Sequence, residues 1–316
     1  MKNNKKKFIL FLKGMIMGIA DIIPGISGGT IAFITNIYED LINSINAFDL
    51  YSLKLLIKGK IKKFWIHING SFLFLIFFGI LTSLVTFSNI TSYLITNHPI
   101  QLWSFFFGII IISLFEIYKK IKNNNFIKIF YIFMGFIIGY IVIEIIPSST
   151  NNNFLFIFFS GSIAVSAMIL PGISGSFILL ILGKYEFMIN ALKNLNFFIL
   201  FTFGLGCLFG LIIFSKIIKY LLTKKNNFII SILIGFMIGS LNKIWPWKIT
   251  LIYKLNKKGI QTPILQKNTS PFIFKKIIKK NPLILESILY FILGFFLMII
   301  ILRISKKKIL NNKNLT

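Results

Sequence analysis

The stretch Pro-Gly-Ile-Ser-Gly fills residues 24–28 and returns at residues 171–175, each time inside an otherwise apolar run. Proline and glycine both disfavour a helix interior, so each copy should interrupt a helix. A helix interrupted at membrane depth frees backbone polar groups that lipid cannot satisfy, so the break must face protein or a water-filled cavity. The two matched copies therefore predict two broken helices that contribute to one internal site.

The match extends beyond these five residues and indicates a tandem duplication. Residues 20–45 and residues 167–192 are identical at half of their aligned positions. Later blocks align at a shorter offset, which places an extra segment of the first half near residues 48–69. The later matches are Gly108 with Gly235, Ser113 with Ser240, and Gly135 with Gly294. We therefore predict a first transmembrane repeat, 1–150, and a second, 151–316, within a single integral membrane domain.

The composition is that of a polytopic membrane protein. The chain has 316 residues, of which 56% are hydrophobic, and its mean hydropathy is +0.84. The net charge of +27 comes from lysines in loops and at the termini, which argues against a nucleic-acid partner. Codon bias in an AT-rich genome explains most of this excess, and topology and lipid headgroup attraction explain the rest. The single cysteine, Cys207, excludes an internal disulfide and supports neither a metal nor a redox cofactor.

Three long apolar segments follow the motif in each half. Each approaches the roughly 20 residues that a helix needs to span about 30 Å of hydrocarbon. The arms around the motif are shorter, at residues 13–23 and 30–44, and favour a re-entrant hairpin with the motif at its tip. The predicted spans are 71–95, 100–118 and 126–146 in the first half, and 197–214, 228–245 and 283–302 in the second.

Lysine placement orients this arrangement. The N-terminus, residues 54–63 and residues 119–128 are basic and should be cytoplasmic, as should the C-terminus. Three crossings per half then make the second repeat start from the opposite face, which is the condition for inverted repeats. We thus expect an all-α polytopic membrane protein of two inverted-topology repeats, each a re-entrant hairpin plus three transmembrane helices. The basic loop 248–280 falls outside in this scheme, so either the charge rule fails there or the count is off by one.

The motif has the chemistry of an anion site. Helices should begin near Thr30 and Ser176, where unpaired backbone N–H groups and the positive dipole end attract an anionic oxygen. A nearby lysine such as Lys184 could assist. Alternatively, the glycines only permit close packing of the two hairpins. The predicted binding residues are Asp21, Pro24, Gly25, Ser27, Gly28, Gly29, Thr30, Pro171, Gly172, Ser174, Gly175, Ser176 and Lys184.

Asp21 is the acid that stands out, because it lies three residues before the break in an apolar run. An ionised carboxylate at this depth costs about 2.5–3.5 kcal/mol on insertion scales, so a coupling role with a proton or cation is one hypothesis. The competing hypothesis is a cap on backbone N–H groups at the hairpin tip. Its aligned residue, Met168, is apolar. Glu39 and Glu186 recur in both halves after a tyrosine and are either coupling candidates or surface residues.

With these residues in view, the chain resembles the PopT family of bacterial polyprenyl-phosphate transporters over nearly its whole length. This resemblance implies that the protein returns undecaprenyl phosphate from the outer to the cytoplasmic leaflet of the bacterial cytoplasmic membrane, for peptidoglycan and other envelope polymers. The family pattern favours glycine before the Tyr-Glu pair, as at Gly183, whereas the first half has Asn36. The segments that carry the resemblance are residues 17–30, residues 167–177, Gly239-Ser240-Leu241 and Ile244-Trp245-Pro246-Trp247.

Two other functions remain as alternatives. Membrane undecaprenyl-pyrophosphate phosphatases share a Pro-Gly-x-Ser motif, but theirs continues with arginine, where this chain has Gly28 and Gly175. The chain's only arginine is Arg303, so stabilising a transferring phosphoryl group is implausible and we expect no enzyme. A cation transporter built around Asp21 would explain the acid but not the paired loops. The expected partners are a polyprenyl-phosphate lipid, membrane lipid and a coupling proton or cation.

Overall fold

The protein is largely helical, as expected. The computed structural model describes residues 2–22, 27–119, 121, 126–145, 151, 153–255 and 261–313. In the first half the helices are α1 Lys2–Ile22, α2 Gly28–Ile34, α3 Tyr38–Asn46, α4 Leu50–Ile57, α5 Ile61–His67, α6 Gly70–Asn97, α7 Pro99–Tyr118 and α8 Phe126–Glu144. In the second half they are α9 Phe154–Ile169, α10 Gly175–Ile181, α11 Tyr185–Lys193, α12 Phe197–Lys224, α13 Asn226–Ser240, α14 Pro271–Ile278 and α15 Ile284–Lys313.

Five of the described helices are long and apolar enough to cross a membrane: α6, α7, α8, α12 and the part of α15 from Ile284 to Arg303. The bent pair of α10 and α11 makes a sixth candidate if it counts as one span. These helices confirm a multi-pass membrane protein. The predicted span 228–245 is shorter than expected, because α13 ends at Ser240 and the Trp-Pro-Trp segment does not continue the helix. Helix α12 is longer than expected and continues past Phe214, because lysine is a good helix former.

The basic loop 248–280 contains the chain's described β-structure. Strands β1 (Lys248–Leu255) and β2 (Gln261–Asn268) form a two-stranded antiparallel sheet, followed by α14. The segment Ile-Thr-Leu-Ile-Tyr within β1 is rich in β-branched and aromatic residues, which favour strands. Helix α14 then begins at a Ser270 cap followed by Pro271, a standard helix start.

The second arm of each predicted hairpin is not one helix. In the first half it breaks at Asn36 (φ 58°), and in the second at Gly183 (φ 65°). These left-handed residues end α2 and α10, and the axes of α10 and α11 differ by 108°. Asparagine tolerates this conformation, so the departure from glycine at Asn36 leaves the local geometry of the first arm unchanged. The sequence-based continuous arm at 30–44 is therefore wrong, and each motif is followed by two short helices.

Contacts divide the chain into two compact units that do not follow its halves. One unit comprises residues 1–91 and 117–240, and the other comprises residues 92–116 and 241–316. Each unit thus contains residues from both predicted repeats. The division into repeats at residue 150 stays a prediction.

In the first unit, glycines set the crossing of α1 with α6. A Cβ at Gly14 would lie 2.3 Å from the Ile76 carbonyl oxygen, and one at Gly79 would lie 2.3 Å from the Phe11 carbonyl oxygen. Helices α9 and α12 cross in the same way. There a Cβ at Gly161 would lie 2.5 Å from the Phe203 carbonyl oxygen, and one at Gly206 would lie 1.9 Å from the Phe158 carbonyl oxygen. The duplication aligns Gly14 with Gly161 and Gly79 with Gly206, so an equivalent crossing occurs in each half.

A second pair of crossings joins helices from different halves. In the first unit, a Cβ at Gly135 of α8 would lie 2.3 Å from the Ile232 oxygen of α13, and one at Gly235 would lie 2.2 Å from the Ile132 oxygen. In the second unit, a Cβ at Gly108 of α7 would lie 2.2 Å from the Phe291 carbonyl oxygen of α15, and one at Gly294 would lie 2.1 Å from the Phe105 carbonyl oxygen. These four glycines are the aligned pairs of the duplication. Equivalent helices thus pack with partners from the opposite half, which explains why the units differ from the repeats.

Candidate functional site

The two motif copies contact each other directly inside the first unit. The backbone N–H of Gly172 donates to Thr30 Oγ1 at 2.9 Å, and Ser27 Oγ donates to the Leu170 carbonyl oxygen at 3.2 Å. Ser27 and Thr30 are fully buried, and Ser174 is 5% exposed. The structure thus brings together two segments that lie more than 140 residues apart. The described contact joins Ser27 and Thr30 to the second copy, and the single internal site that the duplicated sequence predicts stays a prediction.

The two copies use their serines differently. Ser27 is the N-cap of α2, and its Oγ accepts the Thr30 N–H at 3.2 Å. Ser174 holds the N-cap position of α10 but makes no side-chain cap bond; its Oγ is instead 2.8 Å from Ser176 Oγ. Ser176 is also partly exposed, whereas Thr30 is not. The hydroxyls of the second copy are therefore the more accessible pair.

The glycines in and beside the two motif copies lie in close contact with neighbouring backbone. A Cβ at Gly29 would lie 2.7 Å from the carbonyl oxygens of both Met168 and Ile169. Gly172 has φ +93°, and a Cβ there would lie 2.9 Å from the Phe236 oxygen. A Cβ at Gly175 would lie 2.8 Å from the Ala164 oxygen. The packing interpretation of the glycines is thus supported by direct contacts, independently of any ligand.

Asp21 is bonded to the start of α2. Its Oδ1 accepts the Gly28 N–H at 2.6 Å, and a Cβ at Gly28 would lie 2.6 Å from Oδ2. A charge-assisted bond to a first-turn N–H also complements the helix dipole. This contact is the one that the capping hypothesis expects. Whether Asp21 also couples transport to a proton or cation remains a hypothesis.

Lys13 is a polar partner of the same short helix that sequence reasoning missed. Its Nζ donates to the Thr35 carbonyl oxygen at 2.7 Å, and Thr35 is the C-cap of α2. Helix α2 therefore has a carboxylate at its N-terminal end and an ammonium at its C-terminal end, which matches the dipole at both ends. A lysine in the middle of the apolar run 8–23 was the available signal.

Lys184 is not at the motif. Its Nζ donates to the Asn151 carbonyl oxygen at 2.5 Å and lies 5.3 Å and 5.4 Å from the ring centroids of Phe156 and Phe187. It follows the C-terminal end of α10, whose seven residues span about 10 Å from the serine end. The placement therefore gives no support to Lys184 as a phosphate ligand, because the helix separates it from Ser174.

The remaining predicted residues divide by exposure. Glu39 and Glu186 are exposed in the first turns of α3 and α11, and Pro171 is buried beside Gly172. Pro24 and Gly25 lie outside the described residues. Across the described ranges, no group of three or more His, Cys, Asp or Glu side chains is arranged to hold a metal.

The second unit contains a polar cluster that the sequence did not predict. Gln101 Nε2 donates to Glu286 Oε2 at 2.6 Å, and Ser104 Oγ lies 2.7 Å from Ser287 Oγ. These contacts join the N-terminal ends of α7 and α15. Nearby on β1, Lys248 Nζ lies 4.3 Å from the Trp103 ring centroid. Burial, together with the adjacent Lys243 charge, lowers the pKa of Lys248 to about 7.

Comparisons with known proteins identify two transporters that this chain resembles. A polyprenyl-phosphate transporter of Vibrio cholerae is 43% identical over 265 residues, covering 84% of this chain and 86% of that protein. A polyprenyl-phosphate transporter of Staphylococcus aureus is 36% identical over 259 residues, covering 76% of this chain and 87% of its own. No solved structure matches the chain. These relatives confirm the choice of a transporter over an enzyme.

The family comparison leads to the same class. Residues 17–262 match the VCA0040-like family, described as undecaprenyl phosphate translocase-like. This range begins just before Asp21 and includes both motif copies, so the family signature contains the segments that the fold brings together. On this match and the two relatives, the chain belongs to the undecaprenyl phosphate translocase-like family.

Proposed function

We propose that this protein carries undecaprenyl phosphate from the outer to the cytoplasmic leaflet of the bacterial cytoplasmic membrane, where the lipid is reused in peptidoglycan and other envelope polymers. The family description and the relatives' names support the substrate class. The resemblance described above supports the direction. The structural observation that carries the proposal is the bond between Gly172 and Thr30, which joins the two motif copies.

The substrate phosphate binds at the meeting point of the two motifs, and the polyprenyl chain stays in lipid. Ser174 and Ser176 make the first contacts, because Ser176 is partly exposed and neither hydroxyl caps a helix. The hydroxyls of Ser27 and Thr30 are buried and bonded within the protein, so they become available only when the contact between the copies opens. Dipole attraction supplies only about 0.3–2 kcal/mol, so the phosphate remains partly hydrated.

Alternating access follows from movement of the motif-bearing helix pair of one half, α1 with α6, against that of the other half, α9 with α12. The motion breaks the Gly172–Thr30 and Ser27–Leu170 bonds on one side and restores them after the phosphate has passed. Close glycine crossings, such as those of Gly14 with Ile76 and Gly161 with Phe203, keep the helix pairs rigid during this movement. The motif hairpins thus act as the gate between the two leaflets.

Asp21 couples the movement to a proton or cation. As a carboxylate it occupies the Gly28 N–H, which is a donor that an incoming phosphate would use. The two anions also repel each other at this short range. Neutralising Asp21 with a proton or cation weakens its hold on Gly28 and removes the repulsion, so substrate binding and cation binding favour each other.

The test is reconstitution of the purified protein into liposomes, with leaflet exchange of undecaprenyl phosphate and release of inorganic phosphate followed in the same preparation. We expect exchange that depends on the protein, with no phosphate released from undecaprenyl pyrophosphate. Phosphate release without exchange would contradict the proposal and favour the phosphatase.

A further inference from the structure

The segment inserted in the first half forms a small basic hairpin of helices, α4 and α5, which we call the basic hairpin (residues 50–67). It contains five lysines and no acid. Its apolar side chains are also unusually exposed: Leu50, Ile57, Ile61 and Ile66 are between 68% and 84% accessible. Helix α5 buries none of its residues. An exposed apolar surface of this kind is typical of an interaction site, and the lysines beside it favour a negatively charged partner.

The basic hairpin is a built element rather than a loose loop. Asp49 caps α4 through a 2.8 Å bond from the Ser52 N–H, and this bond holds the pKa of Asp49 below its usual value. His67 Nε2 lies 3.4 Å from Asp49 Oδ1, which ties the end of α5 to the start of α4. The rings of Phe48 and Phe64 also meet, with centroids 6.2 Å apart. Asp49, the acid next to the hairpin in sequence, is therefore occupied by contacts within the hairpin.

The hairpin is fixed to the end of a membrane-spanning helix. Trp65 Nε1 donates to Ser71 Oγ at 3.0 Å, and the Trp65 ring packs where a Cβ of Gly70 would otherwise stand. Gly70 is the first residue of α6, one of the candidate spans. This contact joins α5 to the N-terminal end of that candidate span. Tryptophan at such a boundary is typical of the membrane interface.

We infer that the basic hairpin binds the surface of an anionic bilayer, with its apolar side chains among the lipid chains and its lysines on the phosphate-bearing headgroups. Lys54, Lys58, Lys62 and Lys63 are all exposed. A lysine near an anionic surface contributes about fivefold to binding, and salt screens this contribution. A zwitterionic bilayer offers no such complement to the charge, so the hairpin should leave it.

The test uses the full-length protein with Cys207→Ser and Ile57→Cys, labelled at residue 57 with an environment-sensitive fluorophore. The protein is placed in nanodiscs of phosphatidylcholine alone, or of an equal mixture with phosphatidylglycerol, with and without spin-labelled lipid. We expect a blue shift and at least twofold quenching only in the anionic discs, and loss of both at high salt. At matched low ionic strength, inorganic phosphate should not release the hairpin, because the partner is a bilayer and not a free ion.

The matched variants separate charge from fold. Changing Lys54, Lys58, Lys62 and Lys63 to Gln should abolish the quenching. The same change at four exposed lysines in and just after α12, Lys216, Lys219, Lys224 and Lys225, should leave it intact. Equal quenching in zwitterionic discs, release by inorganic phosphate, or shielding without lipid quenching would each overturn the inference. The last result would indicate cover by a second copy of the chain.

Discussion

Asp21 accepts the backbone N–H of Gly28 through Oδ1 at 2.6 Å, so the acid in the first motif holds the first residue of α2. The second copy has Met168 at the aligned position and no equivalent bond. Asparagine caps a helix about as well as aspartate but carries no charge. Asp21→Asn therefore separates the two hypotheses for this residue.

If Asp21 couples transport, Asp21→Asn should reduce undecaprenyl phosphate exchange at least tenfold or remove its dependence on pH or cations. Thermal stability should change little, because the amide still caps Gly28. Exchange rates over a range of pH and cation concentrations in liposomes check this. Wild-type rates and wild-type ion dependence would make Asp21 a cap only.

Thr30→Val should destabilise the protein by about 1–3 kcal/mol, because it leaves the buried Gly172 N–H without its acceptor. Thr35→Val is the matched control. Thr35 is buried in the same region, and its Oγ1 donates to the Ile31 oxygen, which also accepts the Thr35 N–H. Thermal unfolding in detergent of both variants measures the difference. Equal losses would contradict a special role for the contact between the motifs.

Gly29→Ala should impair both folding and exchange. Its Cβ would lie 2.7 Å from the carbonyl oxygens of Met168 and Ile169, just before the second motif copy, and backbone atoms cannot move aside at low cost. Such overpacking costs about 1–3 kcal/mol. Gly204→Ala in α12 has open space around its Cβ and should be neutral or slightly stabilising. The two variants are compared by unfolding temperature and expression level. Similar values for both would argue against close packing at Gly29.

The stability of the β1 region should rise with pH because of Lys248. Its pKa in the folded protein is about 7, below the ordinary 10.5, so the unfolded chain binds more protons between these values. Stability should therefore increase from about pH 7 to about pH 10.5, by at most about 1.4 kcal/mol per pH unit. Lys248→Met removes this contribution. Hydrogen exchange of the β1 amides, corrected for intrinsic exchange rates, measures the opening free energy of β1 as a function of pH. If this free energy depends on pH in the variant as it does in the wild type, the pH dependence does not come from Lys248.

The sequence alone was informative where a residue's backbone preference is strong, as for proline and glycine. Proline and glycine in an apolar run predicted the interruption between α9 and α10, and the alignment of Gly108 with Gly235 and of Gly135 with Gly294 indicated a duplication. It could not show that these helices pack with partners from the opposite half. Hydrophobic pattern tells which residues avoid water, but in a membrane protein nearly every face is apolar and the partner is unspecified.

Other features had signals that were weak or ambiguous. Asn36 gives no hydrophobic signal, so the break between α2 and α3 was hidden until the backbone showed its left-handed conformation. Lys184 is only eight residues from Ser176 in sequence, yet α10 and its turn carry it away from the motif. The strand pattern of β1 was readable, but it lay in a loop considered only for its charge.

The site at the meeting of the two motifs is tested most directly by undecaprenyl phosphate exchange in liposomes containing Ser174→Ala with Ser176→Ala. Ser231→Ala is the control, because Ser231 is a buried serine that donates within its own helix to the Asn227 oxygen. We predict that the double variant folds normally and loses exchange at least tenfold, while Ser231→Ala exchanges at the wild-type rate. Wild-type exchange by the folded double variant would contradict the binding of phosphate between the two motifs.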